Sequence, residues 1–367
     1  MTTSDSLRLA REASRGLPHM GGELPRCAVD LSDNTNLWGA PPAAVRTLSR
    51  ARGDALSRYP ALYSEPLQAA LLAYVGLRDA SGISVVTGCG SDDVLDSTMR
   101  AFGESGERIA FSSPTFSMIP VMARLNGLDP VAIPLTSSFD LDVERLVDAR
   151  AKITYVCAPN NPTATSVSRA AVEYVLEHAD GIVLVDEAYA EFAPDVFVDL
   201  VARFDRLIVA RTFSKAFGLA GLRIGYGVAS TDIARHIERA RGPYKVGRLA
   251  EEVVAAVLEP TPEGLDWVRA HAALAIENRD RLCVLLGDLG LVVLPSAANF
   301  VMVPDARARN LAAGLRERGV GVRWFGGLPL AIPEFAQSKG TALRIGVGPW
   351  GSMERLVGAL TAVLACV

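Results

Sequence analysis

The chain has 367 residues, of which 50% are hydrophobic and 21% are charged, and its formal net charge is -4. This length and apolar content allow one large domain, or a large and a small domain, with a substantial core. Nothing in this weak negative charge suggests electrostatic capture of nucleic acid or of an anionic membrane surface, so we expect small-molecule chemistry.

Cysteine usage and the N-terminus indicate the compartment. The 5 cysteines are scattered and form no C-x-x-C pair, and the 4 histidines lack metal-ligand spacing, so neither a disulfide framework nor a metal site is expected. The N-terminus lacks the apolar core of a signal peptide, and no apolar run approaches the roughly 20 residues of a membrane span. We therefore expect a reduced, cytoplasmic protein.

Short apolar runs alternate with stretches of helical period between residues 40 and 255, which is typical of a mainly parallel sheet covered by helices. A Pro-rich break follows at Glu259–Gly264. The predicted regions are an N-terminal arm (1–40), a large α/β domain (41–262) and a small α/β domain (263–367). Seven strands are predicted in the large domain: Ile83–Gly88, Arg108–Ser113, Asp129–Leu135, Lys152–Pro159, Gly181–Glu187, Arg206–Thr212 and Arg223–Ala229.

The first predicted strand runs into TGCGSDD, where glycines lead directly into a helix. Outward-pointing amides and the helix dipole favour a phosphate there, and glycine permits a close approach. Gly90, Ser91 and Asp92 are therefore candidates for an anion cradle. An ordinary capped helix is the alternative, because Ser91 or Asp92 also serves as an N-cap. Asp93 replaces the third glycine of a dinucleotide fingerprint, which excludes that motif.

Asp186 ends the fifth predicted strand, whose run IVLV indicates full burial. A buried carboxylate must be paired or must hold a cation. A magnesium site is one alternative, but it normally accompanies a nucleotide-binding loop that this sequence lacks. A protonated ring nitrogen is the better partner.

The sixth predicted strand runs into RTFSKAFGLAGLRIGYG, where Thr212, Ser214 and Arg223 flank Lys215. Two hydroxyls and a guanidinium form a second anion site. Lys215 stands among apolar neighbours, where the pKa of an amine falls. A single lysine is most often a solvated surface charge, but that reading does not account for the whole segment with Asp186 upstream.

The segments VDEAY, TFSKAFGLAGLRIGY, APNNPT (158–163) and LRIGVG (343–348) resemble the fold type I pyridoxal-phosphate (PLP) aminotransferases. Within them, the match is closest to the histidinol-phosphate aminotransferase branch. The resemblance runs over essentially the whole chain, in order and at similar spacing. It implies an α/β PLP-dependent transferase fold, with a seven-stranded mainly parallel sheet, a smaller C-terminal α/β domain and a homodimer.

The resemblance also implies a role for each candidate residue. Lys215 would form a Schiff base with PLP and move the substrate proton, and Asp186 would keep the ring nitrogen protonated. Tyr189 and Asn161 would bond the phenolic oxygen. Phe116 would stack on the ring, with core packing as the alternative. The phosphate group would be held by Gly90, Ser91, Asp92, Thr212, Ser214, Arg223 and, from the neighbouring subunit, Tyr59.

The departures from the family pattern lie on the substrate side. Arg344 resembles the arginine that binds the substrate's acidic group, and Arg323 a second arginine used for a phosphate; a rim salt bridge is the alternative for both. Relatives usually read N-E-N-P where this chain has NTNLWG, with Asn36 at the second asparagine. His19 stands where a substrate-binding tyrosine is common. These four residues are the predicted substrate contacts.

The predicted reaction is a ping-pong transfer of an amino group from an amino acid or amino-alcohol phosphate to a 2-oxo acid, with 2-oxoglutarate expected as acceptor. Two alternatives stay open. A decarboxylase resembling the threonine-phosphate decarboxylases would place a different Cα bond perpendicular to the cofactor ring. A PLP-sensing transcriptional regulator would need a DNA-binding module, for which the segment before Asn34 is too short.

Overall fold

The computed structural model describes residues 9–15, 17 and 26–366. Its strands are β1 Val29–Asp30, β2 Ile83–Gly88, β3 Arg108–Ser113, β4 Asp129–Pro134, β5 Ile153–Cys157, β6 Ile182–Asp186, β7 Leu207–Thr212, β8 Gly225–Ser230, β9 Phe300–Pro304, β10 Val320–Gly321, β11 Arg323–Phe325 and β12 Ala342–Gly346. Its α-helices are α1 Glu12–Arg15, α2 Pro42–Ser49, α3 Gly53–Ser57, α4 Glu65–Tyr74, α5 Ser91–Phe102, α6 Ile119–Leu125, α7 Val143–Asp148, α8 Arg169–His178, α9 Thr231–Ala240, α10 Arg248–Leu258, α11 Leu265–Asp288, α12 Ala308–Glu317, α13 Pro333–Gln337 and α14 Trp350–Leu364. Short 3-10 helices cover Ala190–Phe192, Val198–Ala202 and Ala220–Leu222.

A seven-stranded sheet forms the centre of the fold, in the order β2-β8-β7-β6-β5-β3-β4. Strand β8 runs antiparallel to both of its neighbours, and the other pairs are parallel. The mainly parallel α/β fold is therefore confirmed. Every residue of β5, β6 and β7 is buried, as parallel strands covered on both faces require. This is why unbroken apolar runs marked these strands in the sequence.

The side chains of the central strands alternate between two hydrophobic clusters. Val156, Val183 and Val185 belong to one cluster, whereas Tyr155 and Leu184 belong to the other. Because β5, β6 and β7 are parallel, their carboxyl ends meet at one edge of the sheet. The chemistry-bearing residues that follow these strands are brought together there.

Gly225 at the start of β8 allows this edge to close tightly. It pairs with Gly88 on one side and with Thr212 on the other. A Cβ atom at position 225 would lie 2.4 Å from the backbone nitrogen of Ser91. Glycine is therefore required for the N-terminus of α5 to lie directly against the end of β7.

A second, three-stranded antiparallel sheet, in the order β11-β12-β9, packs with α12 and α14 over its own hydrophobic cluster. The apolar run Leu291–Pro295 forms no strand, although the Leu294 amide donates one hydrogen bond to the Met302 carbonyl. Leu291 and Leu294 are buried, whereas Val292 is exposed. Asn299–Val303, Gly321–Phe325 and Leu343–Gly348 do contain strands.

The N-terminal segment crosses to this second sheet. Strand β1 pairs in parallel with β10, and the Leu31 carbonyl accepts a hydrogen bond from the Gly346 amide at 2.8 Å. The domain limits at residues 40 and 262 stay a prediction, and the structure adds that residues 29–31 bond to C-terminal strands. Within the described part of the chain, none of the helices combines the length and apolar character of a membrane span.

Candidate active site

A cavity of about 260 Å³ lies at the carboxyl edge of the large sheet. Ten of the twelve residues predicted to bind the cofactor line it. They are Ser91, Asp92, Phe116, Asn161, Asp186, Tyr189, Thr212, Ser214, Lys215 and Arg223.

Lys215 presents its amine to this cavity from the loop after β7. Its Nζ donates a hydrogen bond to the Asp33 carbonyl at 3.2 Å and lies 5.8 Å from the centre of the Tyr189 ring. Burial, together with the positive charge of Arg344, lowers the pKa of Lys215 to about 8. A sizeable fraction of the amine is therefore neutral near pH 8 and able to attack a carbonyl carbon.

Asp186 is 4% exposed at the end of β6. Its Oδ2 accepts a hydrogen bond from the Tyr155 hydroxyl at 2.9 Å, and its Oδ1 accepts one from the Ala188 amide at 3.1 Å. Burial raises the pKa of this carboxyl to about 6, against the opposing effect of the Tyr155 bond. The ionised form of such a carboxyl is stabilised when a cationic nitrogen enters the cavity and lies against it.

An anion cradle closes one end of the cavity. Gly90 precedes α5 with φ +83°, and a Cβ atom there would lie 2.7 Å from Arg223 Nη2. Thr212 donates a hydrogen bond to Ser214 Oγ at 3.0 Å, and Arg223 Nη1 donates to the same oxygen at 3.4 Å. Arg223 also lies 3.8 Å from Asp92. A helix N-terminus, two hydroxyls and a guanidinium thus converge on one point.

A second cavity, of about 290 Å³, adjoins the first and shares Phe116, Asn161, Tyr189 and Lys215 with it. Arg323 and Arg344 both line the second cavity, and they are directly opposite each other in the β11–β12 pair.

Arg344 is 8% exposed, and burial lowers its pKa. Its Nη1 donates to Asn161 Oδ1 at 2.7 Å, and its Nη2 donates to the Ser32 carbonyl at 2.6 Å. Among the described residues its Nε has no partner. Like charges facing each other on adjacent strands destabilise a sheet unless an anion lies between them. The second cavity therefore suits a ligand with acidic groups.

Three predicted residues lie elsewhere. The Asn36 side chain donates to the Ala216 carbonyl at 2.8 Å and accepts from the Trp38 amide at 2.9 Å, and it lines neither cavity. Its placement gives no support to a substrate contact. Tyr59 is 81% exposed and stacks on Tyr244 with ring centres 4.8 Å apart. His19 lies outside the described residues.

Sequence reasoning missed several residues that form this site. Tyr155 lies two positions before the end of β5, on the same face as Asp186, so the alternation of side chains was the available signal. Asn34 donates a hydrogen bond from Nδ2 to the Tyr189 hydroxyl at 3.1 Å, across 155 residues of sequence. Nothing in the local pattern around Asn34 indicates such a distant contact.

The comparisons with known proteins agree with this geometry. The family model of the class I and II aminotransferases matches residues 27–362. A histidinol-phosphate aminotransferase of Roseiflexus castenholzii is 39% identical over 311 residues, which cover 81% of each chain. Another, from a Thermoanaerobacter species, is 30% identical over 364 residues, which cover 97% of this chain and 99% of the relative.

Solved structures show the same likeness. The histidinol-phosphate aminotransferase of Sinorhizobium meliloti, in complex with pyridoxal-5'-phosphate, superposes with a TM-score of 0.83 at 26% identity and covers 93% of this chain and 92% of its own. The aspartate aminotransferase of Thermus thermophilus with maleate, at 20% identity and a TM-score of 0.77 over 92% of each chain, shares the fold. This chain therefore belongs to the class I and II aminotransferases, which depend on pyridoxal phosphate.

Proposed function

We propose that this enzyme transfers the amino group of a histidinol-phosphate-like amino-alcohol phosphate to 2-oxoglutarate, with the cofactor held in the first cavity. The observation that carries the proposal is the pair of opposed arginines, Arg323 and Arg344, in the cavity next to Lys215. A planar guanidinium binds carboxylate or phosphate through two parallel hydrogen bonds. Two of them in one cavity fit substrates with one acidic group or with two.

The residues of the first cavity fit pyridoxal phosphate. The bound cofactor supplies an aldehyde and a conjugated ring that accepts the electrons left at the substrate's α-carbon. Lys215 provides the amine for the aldehyde, and the buried carboxylate of Asp186 suits a protonated ring nitrogen. Gly90 lies so close to Arg223 that a side chain at this position would displace the guanidinium proposed to hold the phosphate.

The residues that line the two cavities have different roles in the proposed reaction. The amine of Lys215, with a pKa near 8, is suited to carry a proton to and from the substrate α-carbon. Asn161 and Tyr189 lie where the two cavities meet, so they are placed between cofactor and substrate. Phe116 forms an apolar wall of both cavities and excludes water from the reacting atoms.

Donor and acceptor share one site in a ping-pong reaction, so the same arginines must recognise both. In the proposed arrangement Arg344, which is deeply buried, lies close to Lys215 and binds the 1-carboxylate of 2-oxoglutarate; the amino-alcohol donor has no carboxylate to place there. Arg323, which is exposed on β11, binds the phosphate, which is the single acidic group of the donor, or the distal carboxylate of 2-oxoglutarate. No third cationic side chain is needed when the acceptor replaces the donor in the cavity.

We also propose a cytoplasmic homodimer in which Tyr59 reaches the phosphate of the partner's cofactor. Tyr59 is largely exposed and does not line the cavities of its own subunit, which leaves its hydroxyl available to a second copy. Its neighbours in the sequence Leu56, Leu62 and Tyr63 are exposed as well. All 5 cysteines are free, in accord with a reducing compartment.

The decisive experiment is a half-reaction. Holoenzyme is mixed with L-histidinol phosphate, and the visible absorbance of the bound cofactor is followed as it takes up the amino group. We expect full conversion, with L-histidinol as the control that lacks the phosphate and reacts at least tenfold less efficiently. Addition of 2-oxoglutarate should then restore the original spectrum.

Two arginine variants test the proposed roles. Arg323→Ala should raise the KM for the phosphorylated donor far more than for L-histidinol, whereas Arg344→Ala should raise the KM most for 2-oxoglutarate, because neither donor has a carboxylate. Equal loss for all donors in Arg323→Ala contradicts its role in specificity. Release of carbon dioxide from an amino acid phosphate, without spectral conversion, shows a decarboxylase instead.

A further inference from the structure

Three consecutive carbonyls in the N-terminal segment accept hydrogen bonds from buried side chains. The Ser32 carbonyl accepts from Arg344 at 2.6 Å, and the Asp33 carbonyl accepts from Lys215 at 3.2 Å. The Asn34 carbonyl accepts from Asn299 Nδ2 at 3.0 Å. The first two donors line the cavities, but Asn299 lines neither of them. Among the described residues, the hydrogen bond that the Asn299 side chain donates goes to Asn34.

Asn34 determines the direction of a hydrogen bond inside the site. Its Nδ2 donates to the Tyr189 hydroxyl at 3.1 Å, so the tyrosine oxygen is the acceptor in this contact. Burial raises the pKa of Tyr189, so the hydroxyl keeps its proton. Among the described residues, no other group bonds to that hydroxyl. Its proton is therefore left free to be donated into the cavities that Tyr189 lines.

The backbone at Asn34 needs support to hold this arrangement. Its φ of +57° lies in the left-handed region, which costs energy for a residue with a side chain. Asn34 and Asn299 are 2% and 3% exposed, and the bond between them joins the residue before β9 to the N-terminal segment. Loss of the Asn299 donor would leave the Asn34 carbonyl buried without this bond and free the segment to relax.

We propose that Asn299 is a positioning residue that acts through Asn34 to fix the direction in which the Tyr189 hydroxyl donates its hydrogen bond. This inference rests on the proposed placement of the cofactor's phenolic oxygen opposite Tyr189. A hydrogen bond donated to that oxygen stabilises its negative charge most when the nearby nitrogen that joins Lys215 to the cofactor has lost its proton. Correct positioning therefore lowers the pH midpoint of the visible-absorbance change of the bound cofactor.

The test measures this midpoint in holoenzyme without substrate, so that turnover is not the readout. Tyr189→Phe removes the donor and should raise the midpoint by about one pH unit. Asn34→Gly, which tolerates a positive φ, and Asn299→Ala should each raise it by about half a unit. In the Tyr189→Phe background neither change should raise it further, because both act through the missing hydroxyl.

Asn278→Ala is the matched control. Asn278 also donates from Nδ2 to a buried backbone carbonyl, that of Gly348, at 2.8 Å, but it has no link to Tyr189. Its loss should lower the melting temperature comparably to Asn299→Ala and leave the midpoint unchanged. A merely structural role for Asn299 would make the two variants alike in both measurements.

The outcomes separate the inference from the function that it rests on. If Tyr189→Phe leaves the midpoint unchanged, the proposed placement of Tyr189 is wrong and the inference fails with it. If Tyr189→Phe raises the midpoint but Asn34→Gly lowers it or leaves it unchanged, Asn34 does not direct the hydroxyl and only the inference is overturned. Should Asn299→Ala fail to fold, Asn34→Gly alone decides between these results.

Discussion

The carboxyl of Asp186 lies in surroundings that disfavour its ionised form. Its carboxyl is almost fully buried, with one hydrogen bond from Tyr155 and one from the Ala188 amide. The pKa rise from 3.8 to about 6 means that ionisation is disfavoured in the folded, cofactor-free chain. A cationic ring nitrogen would reverse this penalty, which links cofactor binding to stability.

Asp186→Asn is therefore expected to stabilise the cofactor-free protein above pH 6 by about 1 to 3 kcal/mol. Because the pKa of Asp186 is raised in the folded state, the wild-type protein bears the full cost of burying an ionised carboxylate above about pH 6. The difference in the free energy of unfolding between the two proteins shrinks as the pH falls from about 6 towards 4. Urea unfolding at pH 8 and pH 4.5 measures it, with Asp129→Asn, an exposed aspartate of β4, as control. A stabilisation that is the same at both pH values would contradict this account.

Gly90 is the residue on which the anion cradle depends. Gly90→Ala adds a Cβ atom at φ +83° and 2.7 Å from Arg223 Nη2, so the guanidinium must move away. We expect the dissociation constant for pyridoxal phosphate to rise about tenfold or more. Gly76→Ala is the matched control, since Gly76 has φ +78° and no atom within 4 Å of an added Cβ. Equal weakening of cofactor binding in both variants would show that backbone strain alone is responsible.

At the scale of elements, the ends of β6 and β7 have two chemically different faces. Asp186 and Thr212 face the cavity, and their chain neighbours Glu187 and Arg211 face the opposite cluster. Glu187 and Arg211 form a buried ion pair at 2.6 Å, and Glu187 also accepts a hydrogen bond from the Phe197 amide. The strand period of two thus places a charge that faces the cavity next to a charge that is paired inside the core.

Arg211→Met is expected to destabilise the protein by about 3 to 5 kcal/mol, because Glu187 is left buried without its partner. Adding Glu187→Gln should recover part of the loss by removing the unpaired charge. Arg169→Met, which breaks the exposed pair with Asp199, should cost at most about 1 kcal/mol. Urea unfolding followed by circular dichroism measures all three, and equal losses in the buried and exposed pairs would refute the argument.

At the scale of the whole molecule, Tyr59 lines neither cavity and lies exposed against Tyr244. The proposed homodimer, in which Tyr59 completes the partner's site, predicts complementation. Tyr59→Ala and Lys215→Ala homodimers should both be nearly inactive, but a mixed dimer contains one site with both residues intact.

Mixing and reassembly of these two variants should restore up to about a quarter of the wild-type activity per subunit, from one complete site in the half of the dimers that are mixed. Sedimentation velocity checks that the mixture is dimeric. No gain over the parent variants would place Tyr59 outside the partner's site.

The sequence determined the strands and the residues that follow them. The seven predicted strands agree with the structure to within two residues at each end. For β5, β6 and β7 the reason is that strands covered on both faces are continuous apolar runs. Ten of the predicted cofactor residues surround one cavity, because those ends meet at one sheet edge and carry residue types with distinctive chemistry. The local sequence pattern was sufficient to predict a cavity residue where its chemistry and its position in the strand period both indicate the cavity side of the sheet.

Only the tertiary structure decided which distant segments complete the site. Asn34 bonds to Tyr189 across 155 residues and to Asn299 across 265, and no periodicity in the sequence encodes such pairs. The sequence pattern also does not show that the side chain of Asn36 bonds to the backbone of Ala216 and Trp38. Nor does it show the strand register that sets Arg323 opposite Arg344. These contacts depend on how the N-terminal segment packs against the C-terminal sheet, which is a property of the folded chain and not of any one segment.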